Sequence, residues 1–231
     1  TNTFNGSAKE DSEDTKAKNV AVGGSVAYGD EGYAGQGSVT VNKITQNTKA
    51  HVEKGSYRLH GKLDVLANSR TYMFGMAGGL AAGTGGGFGA AVDTQLVDVD
   101  TSAYINNGAE VLGAGGIKVQ ADSVEKITSL ALQASAGGEF AGAGAANAHK
   151  VDVDTLAWIG SEKDSDAGRV EFGYGKSDVG KVSILASDDA VLKVNAAQGA
   201  GAGEVAGGLS IGVAVVDKNV KAAAENIWTN N

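Results

Sequence analysis

The feature that most constrains this chain is an internal repeat of about 54 residues. Two short phrases recur. The first is Thr48-Lys49-Ala50-His51-Val52, then Thr101-Ser102-Ala103-Tyr104-Ile105, Thr155-Leu156-Ala157-Trp158-Ile159 and Val220-Lys221-Ala222-Ala223-Ala224. The second is Leu63-Asp64-Val65-Leu66-Ala67, then Ile117-Lys118-Val119-Gln120-Ala121 and Val182-Ser183-Ile184-Leu185-Ala186. Ala50 to Ala103 is 53 residues and Ala67 to Ala121 is 54. From the second phrase to the next copy of the first is always 36: Ala67 to Ala103, Ala121 to Ala157, Ala186 to Ala222. The rest of the unit varies, from 17 (Ala50 to Ala67) through 18 (Ala103 to Ala121) to 29 (Ala157 to Ala186). The third unit therefore carries about 11 extra residues between Ile159 and Val182. Repeats of this kind stack, each unit contacting only its neighbours.

Within each phrase apolar residues alternate with polar ones, as in Val97, Val99, Thr101, Ala103, Ile105 and in Val151, Val153, Thr155, Ala157, Ile159. Period-2 alternation is the signature of a strand with one buried face. The intervals 18, 36 and 54 share a factor, which predicts an all-β fold, a parallel β-helix (β-solenoid) of about 18 residues per coil with three coils per 54-residue repeat. Stacked columns are expected at Ile44/Val97/Val151/Val216 and Val65/Val119/Ile184. At about 4.8 Å per coil, about 12 or 13 coils would give a rod about 60 Å long. Composition agrees with continuous ladders. The chain has no proline, which lacks the N–H a ladder needs. It has 36 glycines, and its glycine- and alanine-rich stretches fall in the constant part of the unit. They would serve coil corners, or thin Ala/Gly strands whose opposite walls approach closely. Helix is disfavoured there, since glycine costs about 1 kcal/mol per helical position relative to alanine.

Residues 1–18 are polar and read as a flexible lead-in or a first coil. Residues 19–224 form the β-helix repeats, with a protruding insertion at 160–181, and 225–231 lie past the last repeat. Both ends read as boundaries inside a larger protein. The insertion is charged from Glu162 to Asp166, then alternates through Arg169-Val170-Glu171-Phe172-Gly173-Tyr174 like one strand of an exposed hairpin. Its aromatic residues Phe172 and Tyr174 are candidate contacts.

The net charge of −8 argues against nucleic acid and against anionic membranes. No apolar run approaches the roughly 20 residues of a spanning helix, so no membrane insertion is expected. With no cysteine, disulfides and thiolate metal sites are excluded. His51, His60 and His149 lack metal-ligand spacing, and neither a metal site nor a cofactor is expected. Gly201-Ala202-Gly203-Glu204-Val205-Ala206 has the loose form of a dinucleotide loop, but Leu209-Ser210-Ile211-Gly212-Val213 follows instead of a helix. Asp164-Ser165-Asp166-Ala167-Gly168 lacks the remaining ligands of a calcium loop. The pairs Asp98/Asp100 and Asp152/Asp154 face outward by alternation, as solvated carboxylates do. No nucleophile elbow and no Ser/His/Asp set stands out. His51, Tyr104 and Trp158 hold one position in three successive units, between inward-facing residues. They are expected outside, as a candidate binding strip or as aromatics that simply suit strands.

Val-Thr-Val-Asn-Lys-Ile-Thr-Gln-Asn-Thr-Lys-Ala (39–50) and Ile-Lys-Val-Gln-Ala-Asp-Ser-Val-Glu-Lys-Ile-Thr-Ser (117–129) resemble the repeats of very large bacterial exoproteins, of the leukotoxin type and the filamentous-haemagglutinin-like adhesins. The resemblance covers residues 19–224. It implies a right-handed parallel β-helix, a location outside the cell or on the outer-membrane surface, and a role in host attachment or toxicity. It implies no catalytic residues. The expected function is thus a non-enzymatic shaft segment that meets a host-cell surface protein or glycan. The rivals are a carbohydrate-active β-helix enzyme and a spacer with no binding of its own.

Overall fold

The computed structural model describes residues 2–3, 11–30, 32–59, 61–106, 108–112, 115–160, 170–172, 181–225 and 227–229. Every regular element among them is a strand: β1 (Asn2–Thr3), β2 (Asp11–Gly29), β3 (Tyr33–Val52), β4 (Gly55–Arg58), β5 (Lys62–Gly83), β6 (Gly86–Ile105), β7 (Ala109–Leu112), β8 (Gly116–Gly137), β9 (Phe140–Ile159), β10 (Val170–Phe172), β11 (Val182–Ala202), β12 (Val205–Ala224) and β13 (Ile227–Thr229). They stack as three parallel sheets. Two are long, with orders β2-β5-β8-β11 (the first long sheet) and β3-β6-β9-β12 (the second). One is short, with order β1-β4-β7-β10-β13.

The fold class matches the sequence, but the coil size does not. Ladder partners lie one whole repeat apart: Val39 pairs with Val92, Val92 with Ala146, and Ala146 with Ile211. One coil therefore takes an entire repeat, not about 18 residues. The 36-residue interval runs from a long strand around a tight turn to the facing long strand, as from Ala67 on β5 to Ala103 on β6. The shorter interval crosses the short sheet. The common factor thus marked sides of one coil rather than successive coils. The described residues form a slab of four coils. Long strands of 19–22 residues give a width of about 70 Å along the strands, and four layers a height of about 19 Å along the stack. The anticipated long axis lies across the stack instead of along it.

The expected columns are real. Ile44, Val97, Val151 and Val216 are in register, as are Val65, Val119 and Ile184. Burial alternates along β8 from Ile117 onward and strictly along β9. The core is graded by side-chain size. Next to the short sheet Leu63, Val65, Ile105, Val111, Val119 and Ile159 pack together. Midway lie Met73, Val97, Val99, Ile127, Val151 and Val153. Toward the turn only Ala77, Ala91, Ala131 and Ala145 fit. Each fully buried Val or Ile contributes about 1.5–3 kcal/mol. Polar groups also point inward, and Asp93 accepts hydrogen bonds from Thr40, Ser129 and, at 2.7 Å, the Gln95 amide. Such a network satisfies groups that would otherwise be costly in a dry interior.

Both proposed glycine roles occur. Gly32 turns a corner at φ +109°. A Cβ on Gly137 would meet the Phe140 carbonyl oxygen at 1.9 Å, so the walls there touch backbone to backbone.

Of the boundary expectations, one open alternative is decided and two change. Asp11–Lys18 belongs to β2, paired with β5 from Val65 to Tyr72, so this stretch is first coil and not lead-in. Ile227–Thr229, past the last repeat, forms β13 of the short sheet, in register with β10. The insertion is not simply a protruding hairpin. Its Val170–Phe172 is β10, paired in parallel with β7 and β13, so this part is wall. A third sheet needs a strand from every coil, and this segment supplies it for the fourth. The remainder, including Tyr174 and Asp164–Gly168, lies outside the described residues.

Candidate functional site: the outer face of the second long sheet

Strict alternation and in-register stacking turn every outward position into a column. On the second long sheet three neighbouring columns concentrate chemistry. They are Asn47/Asp100/Asp154/Asn219, Lys49/Ser102/Leu156/Lys221 and His51/Tyr104/Trp158/Ala223.

The aromatic column brings three candidate residues together as the sequence suggested. The rings of His51 and Tyr104 stack at 5.0 Å and 12°, and those of Tyr104 and Trp158 at 4.4 Å and 5°. Each such pair is worth about 0.5–1.5 kcal/mol beyond its buried area. The faces of Tyr104 are therefore covered by its neighbours. The row presents ring edges and the phenol rather than a line of open faces. Beyond Trp158 the column continues as Ala223, too small to cover an indole. His51 Nε2 lies 3.1 Å from Glu53 Oε1. Burial, and next the Glu53 charge, raise the Tyr104 phenol above its ordinary value.

Beside the rings run the carboxylates. Asp98, Asp152 and Asp217 share one column, and Asp100 and Asp154 the next. Burial raises the Asp100 carboxyl, helped by the like charges of Asp154, Asp98 and Asp152 and opposed by Lys49. Lys150 pairs with Asp152 at 3.6 Å.

Between rings and carboxylates lies a pit of about 370 Å³, lined by Lys49, Asp100, Ser102, Tyr104, Asp154, Leu156 and Trp158. Ser102 forms its floor. It faces outward, yet only 6% of it is exposed, and its hydroxyl has no hydrogen-bond partner. Sequence reasoning singled out the rings and passed over the pit. Asp100 and Asp154 were read as solvated, and Ser102 was not noticed. The usable signal was the column itself: a serine between Lys49 and Leu156, one small side chain among long ones.

Phe172 is not part of this face. Its backbone sits in the short sheet, in register with Val111 and Thr229. Among the described residues no group of three or more acids, histidines or cysteines is placed to hold a metal ion. The Gly201–Ala206 segment spans the end of β11, a two-residue turn at Gly203–Glu204 and the start of β12. No family model, curated protein or solved structure matches the chain.

Proposed function

We propose that this chain is a non-catalytic shaft segment of an exported bacterial exoprotein of the adhesin or leukotoxin type. It would be secreted or held at the outer-membrane surface, with the outer face of the second long sheet meeting a host-cell surface protein or glycan. The carrying observation is that rings and carboxylates run up this one face in register, coil after coil. A rigid wall that repeats its chemistry suits display and multivalent contact. An enzyme needs an acid and a base in a local arrangement that breaks the repeat. The net charge of −8 further favours a partner other than nucleic acid.

One observation favours the carbohydrate-active alternative. Burial and the neighbouring Asp154 charge raise the Asp100 carboxyl, and a carboxyl that holds its proton more tightly beside a second acid is a starting point for glycosidase chemistry. The two readings part in one experiment. The purified chain is measured for attachment to host cells and for release of reducing ends from cell-surface polysaccharides, with Asp100→Asn alongside. The shaft reading expects attachment with no release. Release that Asp100→Asn abolishes would replace it with the enzyme reading. Absence of both would leave a spacer.

A further inference from the structure

We infer that Lys218 and Asp188 join as a side-chain amide, a covalent tie across the fourth coil that the chain forms by itself with Glu125 as proton carrier. This is a modification of the core and does not depend on what the outer face meets.

Three observations carry it. The first is contact. Lys218 Nζ on β12 lies 2.7 Å from Asp188 Oδ2 on the facing strand β11, and the Asp188 side chain is only 1% exposed. Reacting groups held this close and well oriented behave as if at an effective concentration of about 10⁵–10⁸ M. The second is the neighbouring acid. Glu125 on β8 is enclosed and hydrogen-bonded to Asp188, and burial above all lets its carboxyl keep its proton up to about 8. Ser123 donates a hydrogen bond to Glu125 Oε1 and so orients it. A protonated acid against the carboxyl under attack is the group that general acid–base assistance requires. The third is the break in the repeat. The ladders stack Asp188 over Ser123 and Ser69, and Lys218 over Val153 and Val99. Glu125 stands between Thr71 and Ala190. Three inward columns that are otherwise uncharged thus turn ionisable at one place, where the three groups meet. A buried ion pair is seldom worth more than apolar packing, and the valines beneath Lys218 show that such packing suits this column. An amide removes both charges and with them the cost of keeping them from water.

The step balances. The Lys218 ammonium passes one proton to the Asp188 carboxylate, and a dry interior favours the neutral amine and acid. Nζ then attacks Asp188 Cγ. Glu125 gives its proton to the Asp188 hydroxyl, the Cγ–O bond breaks and water leaves. Nζ returns a proton to Glu125, which ends as it began. One amine and one carboxylic acid become one amide and one water, and no oxidant or co-reactant is needed.

The test is the intact mass of the purified, folded chain, followed by fragment sequencing of a protease digest by mass spectrometry. The wild-type chain should weigh one water less than its sequence and yield a branched peptide joining the segments around Asp188 and Lys218. Lys218→Arg and Glu125→Gln should each restore the full mass, with circular dichroism showing that their strands are kept. Asp188→Asn should close the same amide with loss of ammonia, so its product should equal the cross-linked wild type in mass. The proposal is overturned if the wild type keeps its full mass after prolonged incubation at neutral pH. It is equally overturned if the deficit survives Lys218→Arg or Glu125→Gln, or if the Asp188→Asn product differs in mass from the cross-linked wild type.

Discussion

Where the two long sheets converge, their separation is set by glycine. Gly29, Gly83 and Gly137 form one inward column, and only in the outermost coil does Ala202 replace glycine. In Gly137→Ala the new Cβ would lie 1.9 Å from the Phe140 carbonyl oxygen and 2.9 Å from the Gly86 Cα. Both are backbone atoms that cannot rotate away. Ordinary contact begins at 3.4 Å, so the wall must open by about 1.5 Å, the difference from 1.9 Å, against ladders pinned on both sides. This places the cost at the upper end of overpacking, about 3 kcal/mol. The φ at Gly137 is not in the left-handed region, so the cost is one of space alone. Gly35 is the control: it lies on the outer face with nothing within 4 Å of a new Cβ. Gly35→Ala should stabilise by about 0.4–1 kcal/mol by reducing the freedom of the unfolded chain. The two variants should thus differ by about 4 kcal/mol. With a urea slope of about 3 kcal/mol/M, the Gly137→Ala midpoint falls about 1 M below wild type while the Gly35→Ala midpoint rises slightly. Equal midpoints would mean that the walls do not meet there and that the wedge-shaped interior is wrong.

Other outcomes follow from the same geometry. Val119→Asp buries an unpaired charge at a fully enclosed position and should cost about 3 kcal/mol or more by denaturation, whereas Lys118→Ala on the outer face should change stability by less than about 0.5 kcal/mol. Burial, and next a hydrogen bond with Asp188, hold the Glu125 carboxyl up at about 8 against an unfolded value of 4.5. Between those values the folded state keeps a proton that the unfolded state loses, so stability is full below the unfolded value and falls as pH rises toward 8. Melting curves of Glu125→Gln across that window should lack this decline. Deleting Asp164–Lys176 removes β10 and leaves β7 and β13 without their shared neighbour; a lowered melting temperature is expected, and an unchanged one would show that the segment is not wall. Solution scattering should give a longest dimension of about 70 Å, along the strands.

The sequence alone was enough to establish strand, stacking and register. Alternation and fixed intervals determine which side chains face inward, because a strand has a period of two and a parallel ladder aligns equivalent residues. Hence Val119 and Val151 are enclosed, and His51, Tyr104 and Trp158 share a column. The coil size was not legible, since intervals along a chain do not distinguish three small coils from three sides of a large one. Only the pairing of Val39 with Val92 decides it. Likewise, alternation assigned Ser102 to the outside, and its long neighbours Lys49 and Leu156 in the adjoining coils then buried it. Nor could alternation within the insertion distinguish a free hairpin from a wall strand, because both have period two; the partners β7 and β13 make it wall. Direction is local to a strand and is written in its residues. Enclosure depends on which strands come to lie beside it, and that is a property of the assembled coils.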